Sequence, residues 1–95
     1  MNNLYIDLVK ENARLEGYDP DRLFVSKKKG KKFYYLTPDD KEVHFGARGM
    51  NDFIKYLIKD GEEVARERRR LYLQRHKNDP TDKYSAGALA RNILW

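Results

Sequence analysis

Cysteine is absent from this 95-residue chain, which excludes a disulfide framework, thiolate metal sites and thiol nucleophiles and fits a reducing compartment. Long apolar runs are missing too. Nothing approaches the ~20 residues of a membrane-spanning helix, so no membrane partner is expected. The opening "MNNLYIDLVK" lacks a basic segment followed by an apolar block, and a secretory signal peptide is not expected. Histidine is limited to His44 and His76, far apart and without ligand-spaced neighbours. No HExxH, P-loop or GxGxxG occurs. The sequence therefore predicts no cofactor, no metal site, no catalytic residue set and a non-enzymatic protein. One stretch, "PDDKEVH", sets Asp39, Asp40 and Glu42 near His44 in a superficially nuclease-like way. Pro-Asp-Asp is first a turn sequence, however, and no carboxylate–x–lysine strand follows it.

What the chain does contain is charge. Charged residues make up 37% of it, with a net charge of +5, which suits a soluble surface and leaves an acidic partner open. The apolar fraction is 40%, so the seven tyrosines and four phenylalanines must supply much of the buried area. At this length one core and one domain over residues 1–95 are expected.

The pattern of residues predicts an α+β fold, a three-stranded antiparallel meander packed against two or three helices. Residues 3–16 put Leu4, Leu8 and Leu15 on one helical face beside Tyr5 and Val9, with Ile6 and Ala13 opposite. Gly17 and Pro20 end that helix. Strand chemistry follows in the 22–46 meander: "RLFVSK" (22–27), "KFYYLT" (32–37) and "KEVHFG" (41–46), joined by turns at Gly30 and Pro38. Alternation pairs Phe33 with Tyr35 on one face and Val43 with Phe45 on one face, leaving Tyr34 and His44 opposite. The helical part spans 49–95. Met50, Phe53, Ile54, Leu57 and Ile58 share an arc in the segment 49–61. Asp60 and Glu63 have the spacing of a capping box for a helix over 61–77, which "NDPTD" stops. Ser85 caps a last segment closing on Leu94 and Trp95.

Residues 65–77, "ARERRRLYLQRHK", carry seven basic groups. At 100° per residue, Val64, Ala65, Leu71 and Tyr72 define an inward arc that includes Arg68 and Arg75. A buried guanidinium needs a partner, and Asp52, Asp60 and the Trp95 carboxylate are the candidates. Arg66, Arg69 and Arg70 point away, diluted by Glu62 and Glu67 at the spacing of helical ion pairs. The lysine turn "KKKGKK" is denser. Lys27, Lys28, Lys29, Lys31 and Lys32, with Arg66, Arg69 and Arg70, are the candidate residues for nucleic acid or another acidic partner. Tyr34 and Tyr35 carry rings of the kind that stack on bases, but no RNP-like pattern surrounds them, and packing in the core or on the sheet is expected.

The segments "KKFYYL", "VHFGARGMNDF", "RRRLYLQRHK" and "SAGALARNILW" together resemble an uncharacterised small domain family encoded by large DNA viruses and some phages. Its pattern is a lysine-led strand, a hydrophobic–Phe–Gly, an Asp–aromatic pair, a basic helix ending Tyr-Leu-x-Arg-His, and a Gly-containing segment closing on Leu-Trp. The matching positions are Lys32, Phe45, Gly46, Asp52, Phe53, Tyr72, Leu73, Arg75, His76, Gly87, Leu94 and Trp95. The resemblance covers about residues 27–95, leaving the N-terminal helix (1–18) outside, and the chain departs from it in the extended "IKYLIKDG". It implies a viral origin, a setting in the virion or host-cell interior, and no known activity. Phe45, Gly46, Asp52, Arg68, Arg75, His76 and Trp95 are then structural. The function expected first is that of a virion-associated or minor structural protein contacting other viral or capsid proteins, with Ile6 and Leu73 as apolar anchors. The alternative is a sequence-nonspecific binder of DNA or RNA.

Overall fold

A computed structural model describes residues 1–79 and 81–95, so Pro80 of the "NDPTD" stop lies outside the described residues. Helix α1 (Asn3–Leu15) leads through a 3-10 turn (Pro20–Arg22) into strands β1 (Leu23–Val25), β2 (Lys31–Leu36) and β3 (Glu42–Ala47). Helices α2 (Phe53–Asp60), α3 (Glu62–Arg75) and α4 (Ala86–Leu89) follow, the last continuing as a π-helical turn over Ala90–Leu94. The three strands form an antiparallel meander in the order β1-β2-β3. The fold is the expected α+β arrangement.

Alternation along the strands sorts the two faces of the sheet. Leu23, Phe33, Tyr35 and Phe45 meet Tyr5, Val9 and Ala13 of α1 and Leu89, Ile93 and Leu94 of the C-terminal segment in one buried core. Each large side chain in it contributes about 1.5–3 kcal/mol over exposure. Polar ties fasten the C-terminal segment to the rest: Asn12 Nδ2 donates to the Ile93 carbonyl at 2.7 Å and the Tyr18 hydroxyl to the Lys83 carbonyl at 2.8 Å.

The seat of α1 differs from the expected one. Its buried residues are Tyr5, Val9 and Ala13, whereas Leu4 and Leu15 are exposed. The helix is turned so that a tyrosine and two smaller residues face the core, because the Tyr5 hydroxyl has a buried acceptor and Ala13 permits close approach. Ile6, expected to be free, packs against the core instead.

That acceptor is Asp52, the N-cap of α2, which gathers three donors. Its Oδ1 accepts from Lys55 N at 2.9 Å. Its Oδ2 accepts from the Tyr5 hydroxyl and from Lys32 Nζ, the latter at 2.8 Å. Lys32 and Asp52 are only 2% and 1% exposed. Burial, then the Asp52 charge and hydrogen bond, push the Tyr5 phenol far above its ordinary range. Burial lowers the Lys32 ammonium, with Asp52 opposing. Glycine is required nearby: at Gly46 (φ +79°) an added Cβ would fall 2.7 Å from Leu94 Cδ1 and 3.3 Å from Lys32 Cβ.

Helix α3 overturns the arginine assignment. Arg68 and Arg75 are exposed, and among the described residues neither has an ionic or hydrogen-bonded partner. Arg68 lies over the Tyr56 ring at 5.4 Å. The nominated Asp52 pairs with Lys32, and the Trp95 main-chain oxygen accepts from Arg69 Nε at 2.8 Å. The helix seats on Ala65 and Tyr72, with Val64 left 41% exposed. The Tyr72 ring is stacked on Trp95 at 4.3 Å and on His76 at 4.2 Å. That flat stack, rather than Val64 and Leu71, sets which side of α3 faces inward. Leu73, expected as an exposed apolar anchor, is half-buried.

The expected capping box does not form either. Asp60 still belongs to α2, and Gly61 (φ +88°) occupies the cap of α3 without a side-chain hydrogen bond. Glu62 and Glu63 in the first turn favour the positive end of the helix dipole instead. Of the apolar arc expected on α2, Ile54 is buried while Leu57 and Ile58 are exposed. Met50 lies before the helix begins.

Candidate functional site

The lysine turn separates into three environments. Lys27, Lys28 and Lys29 are exposed, Lys31 is half-buried at the root of the hairpin, and Lys32 is buried. Lys32 is therefore withdrawn from the phosphate-contacting set: its ammonium is already paired with Asp52 inside the domain. Arg48 joins the turn from the end of β3. Its N donates to the Gly30 carbonyl at 2.9 Å, its Nε to the Lys31 carbonyl at 3.0 Å and its Nη2 to the Ser26 carbonyl at 2.8 Å. These bonds hold a fourth cation across the neck of the hairpin and order the loop around Lys27–Lys29.

The outward arginines of α3 do not extend that patch. Arg66 is paired with Glu62, and Arg70 with Glu67 at 2.6 Å. Arg70 holds the Glu67 carboxyl below the usual carboxylate range by a side-chain hydrogen bond. These residues share one shallow surface with Glu63, so it is mixed in sign. Arg69 is taken up by Trp95 and lies over the Phe53 ring at 5.9 Å.

Beside the lysine turn, the solvent-facing side of the sheet presents a row of rings. The register sets Phe24 opposite Tyr34 and Tyr34 opposite His44. Phe24 and Tyr34 stack at 5.2 Å and 25°, and Tyr34 and His44 approach at 5.1 Å. None of the three belongs to the core cluster, and Phe24 is 39% exposed. His44 is oriented by Ser26 Oγ at 2.7 Å from Nδ1 and by Glu42 at 3.2 Å from Nε2. The rings of the three strands thus form one continuous aromatic row on this face, with Tyr34 and His44 inclined to each other by 40°.

Phe24, His44 and Arg48 were not among the sequence candidates. Alternation turned Tyr34 and His44 away from the inward rings of their own strands, and the register brings them together. Phe24 needed the exact strand register, and Arg48 needed the return of β3 to the hairpin end.

The acids of "PDDKEVH" have other occupations. Asp39 accepts from Thr37 and lies 3.6 Å from Lys41, Asp40 pairs with Arg22 at 2.8 Å, and Glu42 meets His44. Among the described residues no group of three or more His, Asp or Glu side chains is placed to hold a metal ion. No described helix is long and apolar enough to cross a membrane.

In comparison with known proteins, residues 22–56 match the model of a family of unknown function (DUF5754). The matched stretch runs from the 3-10 turn through the meander into α2 and includes both the ring row and the lysine turn. The basic helix and the Leu-Trp segment lie beyond it. No curated protein and no solved structure matches the chain. The similarity is to an uncharacterised small domain, and it carries no activity with it.

Proposed function

We propose that this protein binds single-stranded nucleic acid without sequence preference, through the outer face of its sheet. The observation that carries the reading is the Phe24–Tyr34–His44 row lying beside an exposed lysine turn. Stacking supplies about 1–3 kcal/mol per base and tolerates any base. Lys27, Lys28, Lys29 and Arg48 supply the phosphate contacts, each displacing condensed counterions. The reading is non-catalytic.

The sheet also has a polarity. Asp39, Asp40 and Glu42 occupy the end opposite the lysines, so a bound strand sets its phosphates toward Lys27–Lys29 and its bases over the rings. Fluorescence anisotropy with short labelled DNA and RNA single strands tests this. Phe24→Ala should weaken binding roughly tenfold, consistent with losing one stacked base, while leaving the fold intact because Phe24 lies outside the core. Equal affinity in the variant would remove the platform from the reading.

A second reading, a virion-associated or minor structural protein of a large DNA virus, is favoured by one feature. Leu4, Leu57, Ile58 and Val64 are large apolar side chains left exposed on the helices, and Met1 and Ile58 line a common shallow groove. They replace Ile6 and Leu73 as anchors for another protein of the particle. Mass spectrometry of purified virions tests it; absence of the chain from the particle would end this reading.

A further inference from the structure

A second concave site lies on the other side of the lysine hairpin's root. It is a cleft of about 360 Å³ between the end of β3, the C-terminal end of α3 and α4. That volume sits at the lower end of the ~300–1,000 Å³ of small-molecule sites, enough for one compact ligand and too little for a polymer. Apolar wall is provided by Ala47, Met50, Ala86 and Trp95. Its charged lining divides into paired and unpaired groups. Lys32 is neutralised by Asp52, and His76 Nδ1 is bound to Asp79 Oδ2 at 2.6 Å. Lys31 and Arg75, which also line the cleft, have no acidic partner among the described residues.

We infer that this cleft binds a phosphate monoester attached to a flat ring, a nucleotide-like ligand. Two unpaired cations match the two charges of a monoester. Arg75 offers a planar fork for two phosphate oxygens and Lys31 a point charge. The Asp79 bond fixes the orientation of the His76 ring, and the stack of His76, Tyr72 and Trp95 makes the α3 wall rigid. The ring of the ligand lies against the apolar wall, where Met50 can adapt to its shape. This site shares no residue with the ring row or with Lys27–Lys29, so it does not depend on the strand-binding reading.

A phosphate monoester is presented equally by a free mononucleotide and by the 5′-phosphorylated end of a strand. Calorimetric titration of the full chain with a nucleoside monophosphate, the same nucleoside and inorganic phosphate tests the cleft. The monophosphate should bind at least about tenfold more tightly than the nucleoside, and Arg75→Gln or Lys31→Gln should remove about tenfold of that affinity. Phe24→Ala should leave it unchanged. Oligonucleotides with and without a 5′-phosphate then assign the source. A preference for the phosphorylated end that Arg75→Gln abolishes assigns a strand terminus, and monophosphate binding without that preference assigns a free nucleotide. Equal binding of nucleoside and monophosphate, no binding at millimolar ligand, or full affinity in both charge variants would overturn the inference.

Discussion

Asp52 is a single carboxylate with three donors, and the domain depends on it in three ways. It caps α2, it accepts the Tyr5 hydroxyl, and it neutralises Lys32. Removing one member of a buried pair leaves the other charge without compensation, which costs about 3–5 kcal/mol. Asp52→Ala should lose at least that much stability in urea titration, a large part of what a small domain has. Gly46→Ala combines a left-handed backbone with a clash against Leu94, and about 2–4 kcal/mol of destabilisation is expected in the same assay.

The ionisable groups at this scale set the alkaline limit. Tyr5, Tyr18 and Tyr72 all have phenols raised by burial. A raised folded value means stability that is complete below the unfolded value of about 10 and lost as pH climbs above it. Lys32 is shifted downward and acts in the opposite sense. Three tyrosines against one lysine make net loss above about pH 10 the expected outcome. Tyr5→Phe should make the fall shallower in pH-dependent denaturation. An unchanged slope would show that Tyr5 titrates normally.

At the scale of elements, α1 and α3 make the same point. Each has an arc that suggests a core face, and only part of it is buried: α1 is turned onto Tyr5, Val9 and Ala13, and α3 buries Ala65 and Tyr72 of its expected arc while Val64 and the two arginines stay exposed. Tyr72→Ala should therefore cost about 3–5 kcal/mol, while Arg68→Gln and Arg75→Gln should each stay within about 0.5 kcal/mol, read from denaturation midpoints. Large losses in the arginine variants would restore the internal role that their positions on the helical wheel suggested.

The strands were legible because alternation is a local signal: Phe33, Tyr35 and Phe45 could be assigned inward from neighbours alone. Helix faces were legible in part: Ala65 and Tyr72 of α3 fall in the expected inward arc and are buried, but on α1 hydrophobicity ranks Leu4 above Ala13, and the buried hydrogen bond of Tyr5 depends on a partner distant in sequence. The same limit hid the buried Lys32 among exposed lysines. Its burial follows from Asp52, twenty residues on. Half of the proposed interface, the lysine turn, could be read directly; the ring row required the register of all three strands.

For the whole molecule, the net charge of +5 matters less than where it lies. Arg66 and Arg70 of α3 are offset by glutamates, while Lys27–Lys29 and Arg48 set four exposed cations together at one end of the sheet. The opposite end, about 20 Å away along β2, carries Asp39, Asp40 and Glu42. Such a charge gradient across an aromatic surface orients a polyanion instead of merely attracting it. The most direct measurement is the salt dependence of single-strand affinity for the native chain and for a variant with Lys27→Gln, Lys28→Gln and Lys29→Gln. Four phosphate contacts predict a log–log slope of roughly −3, falling to about −0.7 when only Arg48 remains. A slope that the lysine substitutions leave unchanged, or no binding even at low salt, would contradict the account.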